Sequence, residues 1–202
     1  ISGDTVVVGA HREDSNATGV NGDGSNSLGG DSGAAYIFVR NGTTWTQQAY
    51  VKASNTDGGD NFGSSVAISS NTVVVGAQLE DSNATGVNGI QTNNLVADSG
   101  AVYVFVRNGT NWSQQAYLKA SNTDANDFFG QAAGVSGDTL VVGASGEDSS
   151  ASGINNNQGN GFGALQPGAA YVFTRSGTNW SQQYYLKPSN TTSGGSEFGI
   201  SA

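Results

Sequence analysis

Apolar residues in this chain fall in short runs, and small and polar residues punctuate them so regularly that the same order of runs returns. Residues 62–77 read FGSSVAISSNTVVVGA, and residues 129–144 read FGQAAGVSGDTLVVGA. The chain opens inside this pattern, at ISGDTVVVGA, and closes on its first half, FGISA at 198–202. The Ala that ends VVGA falls at Ala10, Ala77 and Ala144, 67 residues apart each time, and the Trp falls at Trp45, Trp112 and Trp180. Self-similarity at a fixed period marks a repeat architecture. It divides the chain into a partial first unit at 1–61, units at 62–128 and 129–197, and a first strand of a next or shared unit at 198–202.

Each full unit carries four strand signals. The first is the FG segment, such as 62–69, and a short turn follows it, SSN at 69–71 or SGD at 136–138. Turns this short join antiparallel strands. The second strand is TVVVGA, a β-branched run suited to burial on both faces. After a loop of about 22 residues comes the third, GAAYIFVR at 33–40, GAVYVFVR at 100–107 and GAAYVFTR at 168–175. Its alternation turns Tyr103 and Phe105 to one face and Val102, Val104 and Val106 to the other. An NGT or SGT turn leads to the fourth, WTQQAYVK, WSQQAYLK and WSQQYYLK. No stretch has a helical period. Four antiparallel strands at a period this long describe the blade of a β-propeller better than a coil of a solenoid. The expected fold is therefore all-β, three four-stranded antiparallel blades with TVVVGA central, the WSQQ strand outermost and Trp covering a neighbouring blade.

Phe62-Gly63 followed by Gly76-Ala77, and Phe129-Gly130 followed by Gly143-Ala144, resemble the FG-GAP repeat. That resemblance covers the whole chain and implies the propeller of integrin α chains and of many bacterial surface proteins. It specifies fold far more than function. Three blades fall below the four to eight usual for a propeller. The chain is therefore expected to belong to a larger propeller or to act as one unit of a head-to-tail assembly.

Charge and composition narrow the function classes. The formal net charge is −9, which argues against nucleic acid, because phosphate binding needs clustered Lys and Arg. No apolar run approaches the length of a membrane-spanning helix. With no Cys, disulfides and thiolate metal sites are excluded. The single His, His11, sits where the other units have Gln78 and Ser145, so it is no shared device, and G-x-S-x-G is absent. No catalytic set is visible.

Carboxylates recur more suggestively. Glu13-Asp14-Ser15-Asn16, Glu80-Asp81-Ser82-Asn83 and Glu147-Asp148-Ser149-Ser150 each open the long loop after VVGA. Oxygen-bearing side chains in this pattern suit a hard cation such as calcium, with Asp14, Asn16, Asp81, Asn83 and Asp148 as ligands. They equally suit Asp side chains that hold the loop by accepting backbone N–H bonds. The D-x-[DN]-x-D-G loops that the resemblance would place between FG and GAP are missing, because only SSN or SGD stands there. A looser candidate, Asn21, Asp23 and Ser25 with Asp31, occurs in the first unit alone. A second acidic pair, Asp57 with Asp60 and Asp124 with Asp127, precedes FG and reads as a turn partner for backbone N–H groups; Glu197 stands alone there in the third unit.

The Trp-Ser/Thr-Gln-Gln segments could stack on sugars, but Trp recurring once per unit reads first as packing between blades. Sequons such as Asn16-Ala17-Thr18 and Asn41-Gly42-Thr43 permit glycosylation in a suitable host. The reading is an extracellular or cell-surface, non-catalytic propeller module for adhesion, binding or structural self-assembly, with a lectin-like carbohydrate binder as the alternative. A homo-oligomer or filament through end-strand pairing, and a protein or glycan ligand, are the partners expected.

Overall fold

A computed structural model describes residues 1–159, 166–190 and 196–202, and the described residues contain strands and no helix. The first sheet holds β1 (Thr5–Ala10), β2 (Ala34–Asn41) and β3 (Thr44–Val51). The second holds β4 (Phe62–Ser69), β5 (Thr72–Ala77), β6 (Ala101–Asn108) and β7 (Asn111–Leu118). The third holds β8 (Ala132–Ser136), β9 (Thr139–Ala144), β11 (Ala169–Ser176) and β12 (Asn179–Lys187), with the two-residue β10 (Gly153–Ile154) beyond β12. All strand pairs are antiparallel and follow chain order, apart from β10.

The expectation of three four-stranded blades is thus met by the second sheet and corrected for the others, which have three and five strands. The first sheet has no FG strand because the sequence enters the repeat at the second strand. The fifth strand of the third sheet extends a contact the other units make with one residue: Val20 bridges Val51, and Val87 bridges Leu118, where Gly153 and Ile154 pair with Lys187 and Leu186. Among the described residues the three sheets pack in chain order and no closed ring is formed.

Alternation builds the two cores. Val73, Val75, Tyr103 and Phe105 face the first sheet, where Ile37, Ala49 and Val51 meet them. Val74, Val102 and Val104 face the third, against Leu140, Val142, Tyr171 and Phe173. Every residue of β5 is buried, as a β-branched run between two sheets requires.

The Phe-Gly and Gly-Ala pairs interlock successive sheets. Gly63 has a φ of +91° and lies against the first sheet, where a Cβ would meet the Ala34 carbonyl oxygen at 2.3 Å. In the first sheet, Gly9 is so close to the Gly63 carbonyl that a Cβ would stand 2.1 Å from its oxygen. Only glycine at both positions lets the backbones touch. Residues 198–202 do not lie beside β1. Phe198 instead bridges Gly168 of the third sheet, as Phe62 bridges Gly33 of the first.

Candidate binding surfaces

At the end of β3, β7 and β12 a buried lysine, Lys52, Lys119 or Lys187, lies under the long loop of its own unit. The Lys52 ammonium donates to Glu13 Oε2 at 2.8 Å, to the Ser15 carbonyl at 2.7 Å and to Ser32 Oγ at 2.7 Å. Lys119 donates to Glu80 Oε2 at 2.9 Å and to Ser99 Oγ at 2.6 Å, and Lys187 pairs with Glu147. A tyrosine completes each cluster, with Ser15 Oγ 2.6 Å from the Tyr50 hydroxyl and Ser82 Oγ 2.5 Å from that of Tyr117. Burial pushes the Glu13 carboxyl up, but the hydrogen bond and charge of Lys52 outweigh it and hold the group below its ordinary value. Burial pulls the Lys119 ammonium down against the opposing charge of Glu80.

A serine hydroxyl against a lysine resembles a nucleophile with its base. Here, however, Ser32 Oγ donates to the Ser15 carbonyl at 2.8 Å, and the lysine is committed to a carboxylate. The cluster anchors the loop. None of these lysines was singled out from the sequence, although their phase with Glu-Asp-Ser, once per unit, was the available signal.

Asp14 and Asp81, two of the residues expected to ligate calcium, make hydrogen bonds within their loops. Asp14 Oδ1 accepts the Asp31 N–H at 2.9 Å, and Asp81 Oδ1 accepts the Asp98 N–H at 2.7 Å. The Asn16 and Asn83 N–H groups donate to the side chains of Asn26 and Asn93. Asp148 lies in the third loop, and burial followed by the charge of Glu147 raises its carboxyl above the ordinary value. In each loop the Glu is turned to a lysine, and in the first two the Asp is turned to backbone. Among the described residues no group of three or more His, Cys, Asp or Glu gathers as a metal would need. The bonds of Asp14 and Asp81 are those of an Asp that holds its loop by accepting backbone N–H groups. The looser set is likewise internal: Asp23 Oδ1 accepts from Ser25 Oγ at 2.6 Å, and Asn21 Oδ1 accepts the Tyr50 N–H at 2.9 Å.

Asp60 and Asp127 are buried at the junctions of successive units. Burial, then the charges of Glu80 and Glu147 respectively, pushes each carboxyl up to about 8. Asp127 Oδ2 accepts the Asp124 N–H at 3.1 Å, the turn role read from the sequence.

The joints between sheets are built from a β-bulge. In the pairing of β2 with β3, β6 with β7 and β11 with β12, the register skips Gln48, Gln115 and Gln183. A bulged residue is released from the ladder and re-aimed. Gln48 Oε1 therefore accepts the Trp112 Nε1–H of the next sheet at 2.9 Å, and Gln115 Oε1 accepts that of Trp180 at 2.9 Å. The guanidinium of Arg107 lies over the Trp112 ring and donates to Thr5 Oγ1 at 3.2 Å; Arg175 lies over Trp180 and donates to Thr72 Oγ1 at 3.0 Å. Trp112 and Trp180 thus pack between sheets, as recurrence implies.

The outward face of the first sheet carries the same groups, and no other described strand covers it. Trp45 is 41% exposed, against 5% for Trp112 and Trp180. A cavity of about 370 Å³ is lined by Tyr36, Tyr50, Gln47, Asn21, Gly22 and Gly24. The loop tips are also apolar: Leu28 and Leu95, at matching positions 67 residues apart, are 77% and 72% exposed.

Glycines that interlock sheets, bulged glutamines that receive the next tryptophan, and lysine-anchored loops define a repeat protein built of stacked antiparallel sheets. Residues 45–105 and 112–173 match the family model of the FG-GAP repeat, and the chain belongs to that family. No curated protein matches it.

Proposed function

We propose that this chain is a non-catalytic, β-propeller-type module that works outside the cell or at its surface, binding a macromolecular partner in adhesion through its row of long loops. The observation that carries this reading is the exposure of Leu28 and Leu95 at the same place in successive loops. Apolar side chains held out at the tips of loops that are anchored beneath by buried Lys–Glu pairs make a rigid, repeated contact surface. The FG-GAP family and the sequons support an extracellular setting. No described helix is long and apolar enough to cross a membrane.

Beads coated with the chain test it, applied to intact cells and to a glycan array. Adhesion to cells that falls at least tenfold in a Leu28→Ser, Leu95→Ser variant, with the array silent, supports the reading. The lectin-like alternative is favoured by array signal that is lost on Tyr36→Ala, because Tyr36 and Gln47 line the cavity. Adhesion indifferent to the loop leucines would overturn the loop surface.

A further inference from the structure

Charge is divided between the two ends of the sheets. In the second sheet the turns 70–71 and 109–110 lie at one end, and the long loop 78–100 and the linker 119–131 lie at the other. The same division holds in the other units. At the turn end stand Arg40, Arg107 and Arg175, and Asp4 and Asp138 are ion-paired with the first and last of them. At the loop end Lys52, Lys119 and Lys187 are each taken up by a glutamate. Arg12 is the one further Lys or Arg there. Against it stand Asp14, Asp31 and Asp57 of the first unit and Asp81, Asp98 and Asp124 of the second. The loop end is strongly anionic, and the turn end is not.

Aliphatic side chains stand out of this anionic end. The middle unit carries the argument, because both neighbouring units pack against its loop. Asn94 Nδ2 donates to Asp57 Oδ2 at 2.9 Å on one side, and on the other the Asn126 N–H donates to the Ala97 carbonyl at 2.9 Å. Ile90 is nonetheless 73% exposed, and Leu95 almost as much. Exposure is therefore a property of the loop itself, and Leu28 repeats it in the first loop. Neither loop contains an aromatic residue, so neither offers a flat face on which a sugar ring could stack.

Asp31 and Asp98 follow these leucines by three residues, each at a φ of +54°. Their backbone is engaged and their carboxylates are not. The N–H of each donates to Asp14 or Asp81, and the carbonyl of each accepts from the N–H of Asn61 or Phe128. Among the described residues no Lys, Arg or His pairs with either carboxylate. We propose that the partner of the loop surface is a basic amphipathic polypeptide segment, its apolar side chains covering Leu28, Ile90 and Leu95 and its Lys or Arg side chains meeting the carboxylates around them. This rests on the loop-binding reading and names the partner class of the same site. Apolar contact supplies affinity, while the surrounding charge selects the partner and speeds its encounter. The same charge repels nucleic acid, anionic lipid surfaces and the loop end of a second copy.

Binding of three fluorescent peptides to residues 1–202 tests the proposal: one alternating Leu with Lys, one Leu with Glu, and one Ser with Lys. The Leu–Lys peptide should bind at least tenfold more tightly than either of the others. Its affinity should fall at least fivefold from low salt to about 0.15 M, where charges are screened beyond about 8 Å. Asp31→Asn, Asp98→Asn should weaken it at least fivefold and lessen the salt dependence. That variant should keep the wild-type melting temperature, because asparagine also accepts a positive φ. Asp4→Asn, Asp138→Asn removes the same charge from the turn end and should leave the affinity unchanged. No binding of the Leu–Lys peptide, binding of the Leu–Glu peptide as tight, or equal weakening by both pairs of substitutions would overturn the proposal. Adhesion to cells separates the two readings. If Leu28→Ser, Leu95→Ser abolishes it and Asp31→Asn, Asp98→Asn does not, the loop surface stands and the basic partner falls. If the leucine variant adheres as the wild type does, the loop surface falls and takes this proposal with it.

Discussion

Gly76 lies against the Gly130 carbonyl so closely that a Cβ on residue 76 would stand 2.0 Å from the oxygen. Both partners are backbone, so no rotamer change can relieve the clash. Gly76→Ala should therefore separate the second and third sheets and cost more than about 3 kcal/mol, the upper part of the range for overpacking. Gly109 is the control. It has a φ of +63° with nothing within 4 Å of its Cβ position, so Ala there meets only backbone strain of about 1 kcal/mol. Chemical denaturation of both variants checks the ranking, and equal losses would refute the interlock.

Much of this architecture was legible in the residues. The β-branched TVVVGA run, the Tyr103/Phe105 against Val102/Val104 alternation and the once-per-unit Trp each placed a strand or a face correctly, because period and burial are written into side-chain type. The site was less legible. The Gln48 bulge has no mark of its own in Trp-Thr-Gln-Gln, since which of two adjacent glutamines leaves the ladder depends on the register of the pair. The Glu-Asp-Ser pattern was ambiguous for a physical reason. A carboxylate that caps backbone N–H groups and one that ligates calcium need the same residue types, so residue type alone does not separate them. Strand counts of three and five followed from where the pattern is entered and from a two-residue pairing too short to signal.

Glu80 and Lys119 are buried together, with side chains 2% and 1% exposed. Glu80→Gln leaves the ammonium in the interior without its counter-charge, a loss that typically costs about 3–5 kcal/mol. Replacing both, by Glu80→Gln with Lys119→Met, should recover part of that, because no uncompensated charge remains. Thermal melts check the order: the single variant should melt lowest, by several degrees. A double variant no better than the single would show that the pair does more than balance charge.

Calcium removal separates the two readings of the loops. With Asp14 and Asp81 bound to the N–H groups of Asp31 and Asp98, chelation should leave the melting temperature where it is. Asp81→Ala should lower it through a loss of about 1.5 kcal/mol of stability, the low end for a hydrogen bond to a charged acceptor. A melting temperature that falls on chelation and returns with added calcium would instead establish metal binding, by mass action on the folded state.

Asp60 and Asp127 give the protein an unusual response to pH. Their carboxyls ionise at about 8 in the fold, because burial and then the charges of Glu80 and Glu147 oppose the anion. An unfolded aspartate ionises at about 3.9. Between these values the folded chain holds protons that the unfolded chain has released, so stability falls as pH rises. The contribution is complete below about 4 and lost as pH climbs to about 8, with a slope of up to about 1.4 kcal/mol per pH unit for each group. Glu13, held below its ordinary value by Lys52 against burial, acts in the opposite sense, and its share is lost at the acid end. Melting temperature should therefore rise as pH drops from 8 toward 5 and turn down in stronger acid. Asp60→Asn with Asp127→Asn mimics the protonated side chains and should flatten the profile between pH 5 and 8 while leaving the acid limb. An unaltered slope in that double variant would assign the pH response to other groups.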